Sequence, residues 1–531
     1  MSSNGEPKSA PSPWAPFGYR AFALLWTATL ISNVGTWMHE VGASGRMTTL
    51  NSSPAVVSLV QAATALPVFL FALFAGTLAD RMDKRKMLIS INIFLLLVIS
   101  VLSILVHFEL MTPVTLILFT LAIGTGTAFM APAWQAIVPV LVPREALQPA
   151  IALNSMGINI SRAIGPALAG VLIASVGLSA PFAINAASHV VIIVALLMWT
   201  NTAPVEKTSQ PISNAMMTGL RHVAHNGPLK ATLVRSFSFF IFASAYWALL
   251  PLVVRNVEGG GATLYGTLLT LIGSGAVLGA LLLPKLRARL DANNMAAAGS
   301  VGTGVAMVLL ALARDPYIAS AAALLGGFSW IAVLTTFNVS AQTALPNWVR
   351  ARGLAVNLMV FFGSMSAGAT LWGQVASITS TNTALLIAAA GLVAAIPLTR
   401  QFALGQGEKL DLTPSMHWPA PEVDLPEDGL SDRGPVMVTV EYKVSDAETE
   451  DFLKALDEWS QERWRDGAFE WRVYQSAEEP DLWIEAFNVS SWEEHMAQHA
   501  RVSQADKELQ EKVRAFDQRD SGPVVRHYIA P

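Results

Sequence analysis

Residues 54–108 read PAVVSLVQAATALPVFLFALFAGTLADRMDKRKMLISINIFLLLVISVLSILVHF, and this stretch sets the architecture of the chain. Two apolar runs, 54–79 and 87–108, flank a short charged segment from Asp80 to Lys86. Each run has the roughly 20 residues that a helix needs to cross a bilayer. A helix also satisfies its own backbone hydrogen bonds in lipid. The stretch therefore predicts two transmembrane helices joined by a tight polar turn at one membrane surface.

The same pattern recurs on both sides of this hairpin. Six apolar runs precede a polar connection at 201–228, and six follow it. The first six are 20–45, 54–79, 87–108, 113–137, 149–175 and 179–200, and the second six are 229–254, 263–284, 294–313, 316–340, 352–378 and 381–402. We therefore predict an all-α polytopic membrane protein with bundles at 20–200 and 229–402. A disordered tail at 1–19 precedes the bundles, and a linker at 403–435 and a soluble domain at 436–531 follow them.

Charge divides the chain into two chemically different parts. Hydrophobic residues make up 53% of the sequence and charged residues only 14%, whereas soluble proteins carry about a quarter charged residues. Lys and Arg number 21 against 10 Asp and Glu up to residue 402, and 13 against 28 beyond it. We infer a basic membrane part and an acidic water-soluble part. The chain has no cysteine, which excludes disulfides and thiolate metal sites.

The loops predict the orientation of the chain in the membrane. Sixteen Lys and Arg fall in the N-terminus and in loops on its side of the bundle, and only Arg46, Arg255 and Arg314 fall on the other side. Because basic loops stay in the cytoplasm, both termini should be cytoplasmic. The polar N-terminal residues lack the basic start, apolar core and cleavage site of a signal peptide.

The turn after the second run carries a recognisable motif. It reads Gly76-Thr-Leu-Ala-Asp80-Arg81-Met-Asp-Lys-Arg85-Lys86. This resembles the inner-loop signature of the major facilitator superfamily, in which Gly, an apolar pair and Asp-Arg precede further basic residues. The resemblance implies a six-plus-six transporter in which these residues form a conformational latch. Asp80 would meet the N-terminal end of a helix in the other half, where negative charge is favoured. The alternative is that the cations only set topology.

Two further features support a duplicated transporter. Gln135-x-x-x-Pro139 followed by Asn154 recurs in the second half as Gln342-x-x-x-Pro346 followed by Asn357, and duplicated bundles are a common transporter plan. The stretch from Ala131 to Gly170 resembles the enterobactin-exporter-like branch, called the transmembrane secretion effector family. That resemblance implies a secondary transporter, most often an exporter of siderophores or other small molecules. Within it, Gly165, Pro166 and Gly170 resemble part of an antiporter signature and form a helix-packing motif.

Arg162 is the most unusual residue of the membrane part. It lies near the middle of the run 149–175, where a charge costs at least a few kcal/mol, so it should face the bundle interior. We interpret it as a cavity cation that pairs with an anionic substrate or a coupling carboxylate. The alternative is a structural arginine bonded to backbone carbonyls or to Asn159 and Asn185.

Other polar residues are weaker candidates for substrate or ion binding. Glu40, at the outer end of the first run, could carry protons, although an interfacial carboxylate is more often simply solvated. His189 could titrate in its span, although a satisfied interior histidine is the commoner case. Asn33, Asn154 and Asn357 could line the cavity or bond between helices.

The acidic tail has a different periodicity. A strand-like run at 436–443 is followed by a helix at 446–465 capped by Ser445, strands at 468–476 and 481–489, a helical region at 491–517 and a strand at 523–529. This βαββαβ order predicts a ferredoxin-like α+β domain. Its pattern resembles dimeric αβ-barrel domains of the antibiotic-biosynthesis-monooxygenase type, which implies a homodimer. His495 and His499 share a helix face and could bind a metal with His527, but we favour an exposed helix without metal.

These observations favour a proton-driven exporter of a siderophore, drug or other small molecule that works by alternating access. Uptake of a small molecule is the alternative direction. A membrane-tethered enzyme or sensor acting through the tail is a third hypothesis, but twelve spans are far more than an anchor requires. We expect no enzymatic activity, no cofactor, no metal and no nucleic-acid partner, with the proton as the coupling ion and the lipid bilayer as the solvent.

Overall fold

The computed structural model describes residues 12, 14–199, 212–346, 348–418, 421 and 433–530. They belong to two compact units. The first unit comprises Met1–Ser209, Val234–Phe337 and Asn357–Gln401, and the second comprises Gln210–Leu233, Asn338–Val356 and Phe402–Pro531. The second unit therefore joins the tail to two short pieces of the membrane part, Gln210–Leu233 and Asn338–Val356, a grouping that the predicted domain boundaries did not contain.

Twelve helices in the described ranges are long and apolar enough to cross a membrane, which confirms the predicted number. In chain order the helices of the membrane part are α1 Arg20–Leu50, α2 Pro54–Arg81, α3 Lys84–His107, α4 Pro113–Leu141, α5 Arg144–Ser175, α6 Ala180–Met198, α7 Ile212–His225, α8 Gly227–Asn256, α9 Ala262–Arg287, α10 Ala292–Leu312, α11 Pro316–Thr343, α12 Arg350–Ile378 and α13 Thr381–Leu398. Only α7 is not one of the twelve.

Helix ends follow local sequence chemistry. The Asp83 carboxylate caps α3 by accepting from the Lys86 backbone N–H at 3.0 Å, and Asp291 caps α10 in the same way. Proline occupies the first turn of α2 and α4, where its missing N–H costs nothing. These caps satisfy N–H groups that would otherwise be unpaired at the membrane surface.

Small residues allow the helices of the first half to approach closely. At Gly165 of α5, an added Cβ would lie 2.6 Å from the Cβ of Trp37 on α1. At Gly35 of α1, it would lie 2.9 Å from the side chain of Asn185 on α6. This is the usual packing mode in membranes, where backbone proximity replaces the hydrophobic effect. Gly165 of the predicted packing motif therefore positions α5 against α1.

The two six-helix halves of the first unit contact each other through several helix pairs. Helix α5 packs on α9, where an added Cβ at Gly266 would lie 2.7 Å from the Pro166 carbonyl oxygen. Helix α12 meets α2, because Ser366 donates a hydrogen bond to the Ala62 carbonyl at 3.1 Å. The Arg255 guanidinium also donates to the Thr48 carbonyl at 3.3 Å. Several of these contacts lie at the face of the bundle where α1 ends and α9 begins, which we call the far face.

The membrane-side part of the second unit is built around α7. Val223 of α7 packs in one apolar cluster with Leu229 of α8, with Ala341 of α11 and with Val349 before α12. The Asn226 side chain donates to the Ala344 carbonyl at 2.8 Å and accepts from the Leu229 N–H at 2.9 Å. Helix α7 is therefore fixed to one end of α8, α11 and α12. The predicted polar connection at 201–228 thus contains a packed amphipathic helix, and its residues 201–211 lie outside the described part.

The tail has the predicted ferredoxin-like fold. Its elements are β1 Val436–Lys443, α14 Thr449–Arg465, β2 Phe469–Gln475, β3 Leu482–Val489, α15 Trp492–Arg501, α16 Gln504–Arg514 and β4 Val524–Ile529. The strand order is β2-β3-β1-β4, and every pairing is antiparallel. Alternate residues of β1 are buried against the helices, as expected for a sheet covered on one face.

A buried ionic cluster organises the interior of the tail. Arg463 of α14 donates from Nε to Glu485 of β3 at 2.9 Å, and both side chains are almost fully buried. Trp471 and Tyr442 also donate to the Glu485 carboxylate, at 3.0 and 3.2 Å. Breaking a buried pair of this kind costs about 3–5 kcal/mol because it leaves an uncompensated charge. This cluster therefore specifies how α14 packs on the sheet.

Three details of the tail differ from the sequence-based expectations. Helix α14 begins after Glu448 because the Ser445 hydroxyl donates to the Glu448 carboxylate at 2.6 Å and so does not cap the helix. The predicted helical region 491–517 is two helices, because α15 ends at Arg501 and Ser503 begins a new helix by forming a capping box with Asp506. The segment after α13, predicted as a linker, is hydrogen-bonded to the tail. The Ser415 N–H donates to the Val502 carbonyl, and the Gln504 N–H donates to the Thr413 carbonyl.

Candidate substrate and coupling site

Arg162 lies at a junction of three helices. Its guanidinium carbon is 5.2 Å from the ring centroid of Trp37 on α1, which is a cation–π contact. Glu40, one turn further along α1, interacts electrostatically with this guanidinium. The Tyr265 hydroxyl of α9 lies near the side chains of Ser44 and Glu40 on α1. We call Trp37, Glu40, Ser44, Arg162 and Tyr265 the Arg162 cluster.

The Arg162 cluster brings opposite charges to the contact between the two halves. Arg162 and Glu40 are both partly buried, and the Nε atom of Arg162 has no hydrogen-bond partner among the described residues. Helices α1 and α5 belong to the first half, whereas Tyr265 is contributed by the second. A cation with an unused donor beside a carboxylate is chemically able to bind an anion or to release and take up a proton.

The structure places Glu40 differently from the prediction. Helix α1 continues to Leu50, so Glu40 lies within the helix and beside Arg162. Its side chain is half-buried rather than fully solvated, and its part in coupling stays a prediction. Of the alternative partners of Arg162, Asn185 instead accepts from Ser188 at 3.4 Å and packs against Gly35, and the side chain of Asn159 lies outside the described residues.

His189 lies in the interior of the first half. Its side chain is 2% exposed, and its Nδ1 is 2.9 Å from the Asn92 side-chain oxygen. His39 of α1 packs edge-on against Phe182, with ring centroids 4.9 Å apart. These residues form a buried polar layer between α1, α3 and α6. His189 thus has the satisfied interior environment that the sequence analysis kept as the commoner case.

The three candidate asparagines have different environments. The Asn154 side chain accepts from Trp134 Nε1 at 3.0 Å, which joins α4 to α5. Asn357 of α12 is 6% exposed, and its side-chain oxygen has no partner among the described residues. Asn33 is partly buried on α1. None of the contacts in the described part joins these residues to the Arg162 cluster.

The latch loop is described only in part. The side chains of Asp80 and Arg81 lie outside the described residues, so the latch stays a prediction. Arg85 donates from Nε to the Leu196 carbonyl at 2.7 Å and from Nη2 to the Leu197 carbonyl at 2.9 Å. It thereby neutralises the carbonyl end of α6 within its own half. Lys86 is exposed, and a Cβ added to Gly76 would meet nothing within 4 Å.

The histidines of the tail form a close group. His495 is 4.9 Å from His499 and 4.7 Å from His527 between ring centroids, so His527 does approach in space. His495 is 3% exposed, which shows that the expected exposed helix face was wrong. Burial lowers the pKa of His495 to about 3, with help from the two neighbouring histidines. In the described ranges, no three His, Asp or Glu side chains are arranged to hold a metal ion.

Sequence reasoning missed Tyr265 and Ser44. Their pairing depends on how α9 packs against α1, which local periodicity does not encode. A usable signal was present, because only seven tyrosines occur in the chain and Tyr265 precedes a glycine that permits close helix approach.

Twelve membrane-spanning helices in two contacting halves, with a charged cluster between them, define a membrane transporter of the major facilitator type. The family model described as transmembrane secretion effector matches residues 11–531. The chain therefore belongs to the transmembrane secretion effector family of the major facilitator superfamily.

Curated relatives are transporters of small molecules. The staphyloferrin A transporter of Staphylococcus aureus is 25% identical over 337 residues, which cover 63% of this chain and 84% of that protein. Macrolide efflux protein A of Streptococcus pyogenes is 27% identical over 49% of this chain and 65% of that protein. The enterobactin exporter EntS of Shigella boydii is 25% identical over 50% of this chain and 64% of that protein. The alignments to the last two thus span slightly less than two thirds of their length.

Solved structures show the same fold. A POT family transporter bound to a thioalcohol-conjugated peptide aligns with a TM-score of 0.61, 12% identity, and coverage of 72% of this chain and 96% of that chain. The nucleoside transporter NupG aligns with a TM-score of 0.59, 14% identity, and coverage of 72% of this chain and 98% of that chain. At these identities the likeness establishes the architecture of the membrane part only.

Proposed function

We propose that the protein is a proton-driven exporter of small organic molecules that works by alternating access around the Arg162 cluster. The observation that carries this proposal is the placement of Glu40 and Arg162 beside Tyr265 of the other half. The charges at that position change when Glu40 takes up a proton, and their surroundings change when the two halves separate. The relatives that carry siderophores or macrolides support export of small molecules.

The cluster offers a group for the proton and a group for the substrate. Glu40 and Arg162 offset each other's charge in surroundings of low polarity. Glu40 is the group that takes up the proton, and Arg162 is the group that binds an anionic part of the substrate. An exporter driven by proton exchange holds the proton and the substrate in different states of the cycle.

The charge balance favours an anionic substrate class. Arg162 is the cation of the cluster, and Glu40 is its only carboxylate. A hydroxycarboxylate or catecholate siderophore supplies the anionic groups that a guanidinium binds bidentately. A cationic drug would need a carboxylate that stays free of Arg162. We therefore rank siderophore-like anions above macrolides as substrates.

The orientation proposed here follows the distribution of basic loops. Both termini and the tail lie in the cytoplasm, and the protein is in the inner membrane of a bacterium. The far face, where Arg255 meets the Thr48 carbonyl, is then the outer face. Contact between the halves at this face corresponds to a state that is closed to the outside.

Transport into inverted membrane vesicles tests the proposal. Vesicles with an inside-acid proton gradient should accumulate labelled staphyloferrin A or enterobactin, and an uncoupler should abolish the accumulation. A labelled macrolide serves as the comparison substrate of opposite charge. Equal accumulation with and without the gradient would contradict proton coupling. Accumulation in right-side-out vesicles alone would contradict export.

The latch makes a separate prediction for the same vesicles. Asp80→Asn keeps the size of the side chain and removes the charge that would meet a helix N-terminus. We expect a loss of transport of about tenfold with normal membrane insertion, the size expected of roughly 1.4 kcal/mol. Asp83→Asn, at the cap of α3, is the matched control and should have a smaller effect. Full activity of the Asp80 variant would remove the latch hypothesis.

The tail supports a homodimer as the proposed assembly. The sheet face turned away from α14 and α16 carries the exposed side chains of Met437, Tyr474 and Tyr528. An exposed apolar sheet face of this kind is a common protein-binding surface. It agrees with the expected resemblance of the tail to dimeric αβ-barrel domains.

A further inference from the structure

The tail has a second surface, which binds the membrane part of its own chain. Trp464, at the end of α14, stacks on His225, at the end of α7, with ring centroids 5.7 Å apart and an interplanar angle of 16°. Arg221 of α7 lies over the Phe469 ring at 5.8 Å. These contacts join α7 to α14 and to β2, which follow it by about 240 positions in sequence, so they are tertiary contacts.

The turn between α11 and α12 takes part in the same interface. The Arg501 guanidinium carbon lies 4.5 Å from the ring centroid of Trp348. Trp348 in turn contacts His222 of α7 edge-on, with ring centroids 5.3 Å apart. Arg501 is held in place by an ion pair with Glu494 of α15. A tail arginine and an α7 histidine therefore contact the same tryptophan ring.

His222 occupies the centre of this interface. It is fully buried at 0% exposure, and Asn226 lies 3.2 Å from its Nε2. Burial lowers its pKa to about 3, and the nearby Arg465 and Arg501 add to this effect while Asp506 opposes it. His222 is therefore neutral at physiological pH. A neutral ring places no further positive charge beside Arg465 and Arg501 in the interior of this interface.

The segment after α13 strengthens the attachment. The Gly405 N–H donates to the Ser340 hydroxyl of α11 at 3.0 Å. A Cβ added to Gly407 would lie 2.6 Å from the Ala344 backbone nitrogen, so only glycine fits there without a shift. Further along, His417 and Trp418 contact the Gln510 side chain of α16 at 2.6 and 2.8 Å. Along the chain, this segment contacts the end of α11 at 405–407 and the tail at 417–418.

We propose that the tail is a permanent brace of the second half, in which Trp464, Phe469 and Arg501 hold α7 and Trp348 throughout the transport cycle. The membrane-side elements of this interface, apart from α7 itself, are the ends of α8 and α11 and the turn before α12. In alternating access the halves move as nearly rigid bodies, so an interface within one half is not broken by the movement. The persistence of the interface throughout the cycle rests on the proposed transport function, whereas the interface itself does not.

Cross-linking in the full-length chain tests the brace. The chain has no cysteine, so His225→Cys with Trp464→Cys introduces one reactive pair without background. A short bismaleimide should join this pair almost completely, both in resting vesicles and in vesicles with an inside-acid proton gradient and staphyloferrin A. His225→Cys with Lys454→Cys is the matched control, because Lys454 is on α14 but is solvent-exposed about 15 Å from Trp464 along the helix. It should stay near background.

The cross-linked chain should transport as fast as the same chain before cross-linking. A failure to cross-link, or a cross-link that disappears in energised vesicles, would overturn the brace. Cross-linked protein that stops transporting while the untreated form still works would also overturn it and would indicate a releasing, autoinhibitory tail. Absence of transport in both the cross-linked and the untreated protein would contradict the proposed function. The cross-link yield would still show whether positions 225 and 464 are in contact. Trp464→Ala should also lower the thermal unfolding temperature more than Lys454→Ala.

Discussion

Arg162→Ala is expected to reduce proton-driven transport by about 10- to 100-fold, which corresponds to roughly 1.4–2.7 kcal/mol. The variant leaves Glu40 without the cation that neutralises it, and it removes the guanidinium that would bind an anionic substrate. The Trp37 ring also loses its cationic partner. Transport in inverted vesicles measures the effect, and the amount of inserted protein must be compared in the same preparation.

Arg235→Ala is the matched control for this prediction. Arg235 is also an arginine within a span, but it donates to Asn293 at 2.9 Å and is not part of the Arg162 cluster. Its replacement should affect transport less. Equal losses in the two variants would remove the special role of Arg162.

A double variant separates a structural pair from a coupling pair. Glu40→Gln with Arg162→Gln leaves no unpaired charge, so the protein should insert and remain as stable as the wild type. It should nevertheless lose the dependence of transport on the proton gradient. Proton-dependent transport at the wild-type rate in this variant would exclude the cluster as the coupling site.

The second large effect is expected at the contact between α5 and α9. Gly266→Ala places a methyl group 2.7 Å from the Pro166 carbonyl oxygen and 3.3 Å from the Gly170 Cα. Both neighbours are backbone atoms, so they do not move aside as a side chain would, and overpacking of this kind costs about 1–3 kcal/mol. The halves should no longer close at the far face. We expect transport to fall about tenfold.

Accessibility at the far face measures this closure directly. Thr48→Cys provides a single thiol at that face in a chain without cysteine. Its labelling by a membrane-impermeant maleimide should be faster in the Gly266→Ala background. Gly45→Ala is the control, because an added Cβ there is 4.0 Å from its nearest neighbour, Leu178. Unchanged labelling in the Gly266 variant would show that closure does not depend on this contact.

The sequence was sufficient for features that depend on composition and periodicity. Long apolar runs predicted all twelve spans, since a lipid-exposed helix must be apolar over its whole length. The alternation in β1 and the order of elements predicted the fold of the tail. Helix α7 was missed because Ile212–His225 is too polar to span a membrane. Its only helical signal is one apolar face along a short segment.

The site was less accessible to sequence reasoning. Arg162 stands out as a charge in an apolar run, but its electrostatic interaction with Glu40 joins residues on two different helices. The interaction of Tyr265 with Ser44 requires the two halves to be in contact, and the burial of His495 requires α15 to lie on the sheet. Such relations arise from tertiary packing, which one sequence without related sequences does not reveal.

The composition of the second unit has a consequence for recombination between related genes. Its three pieces, Gln210–Leu233, Asn338–Val356 and Phe402–Pro531, are separated by whole membrane helices. A crossover that exchanges only the last piece would pair a foreign domain with a native α7 and Trp348, and the aromatic stacking on His225 would be lost. Functional chimeras should therefore be obtained only when all three pieces come from the same parent.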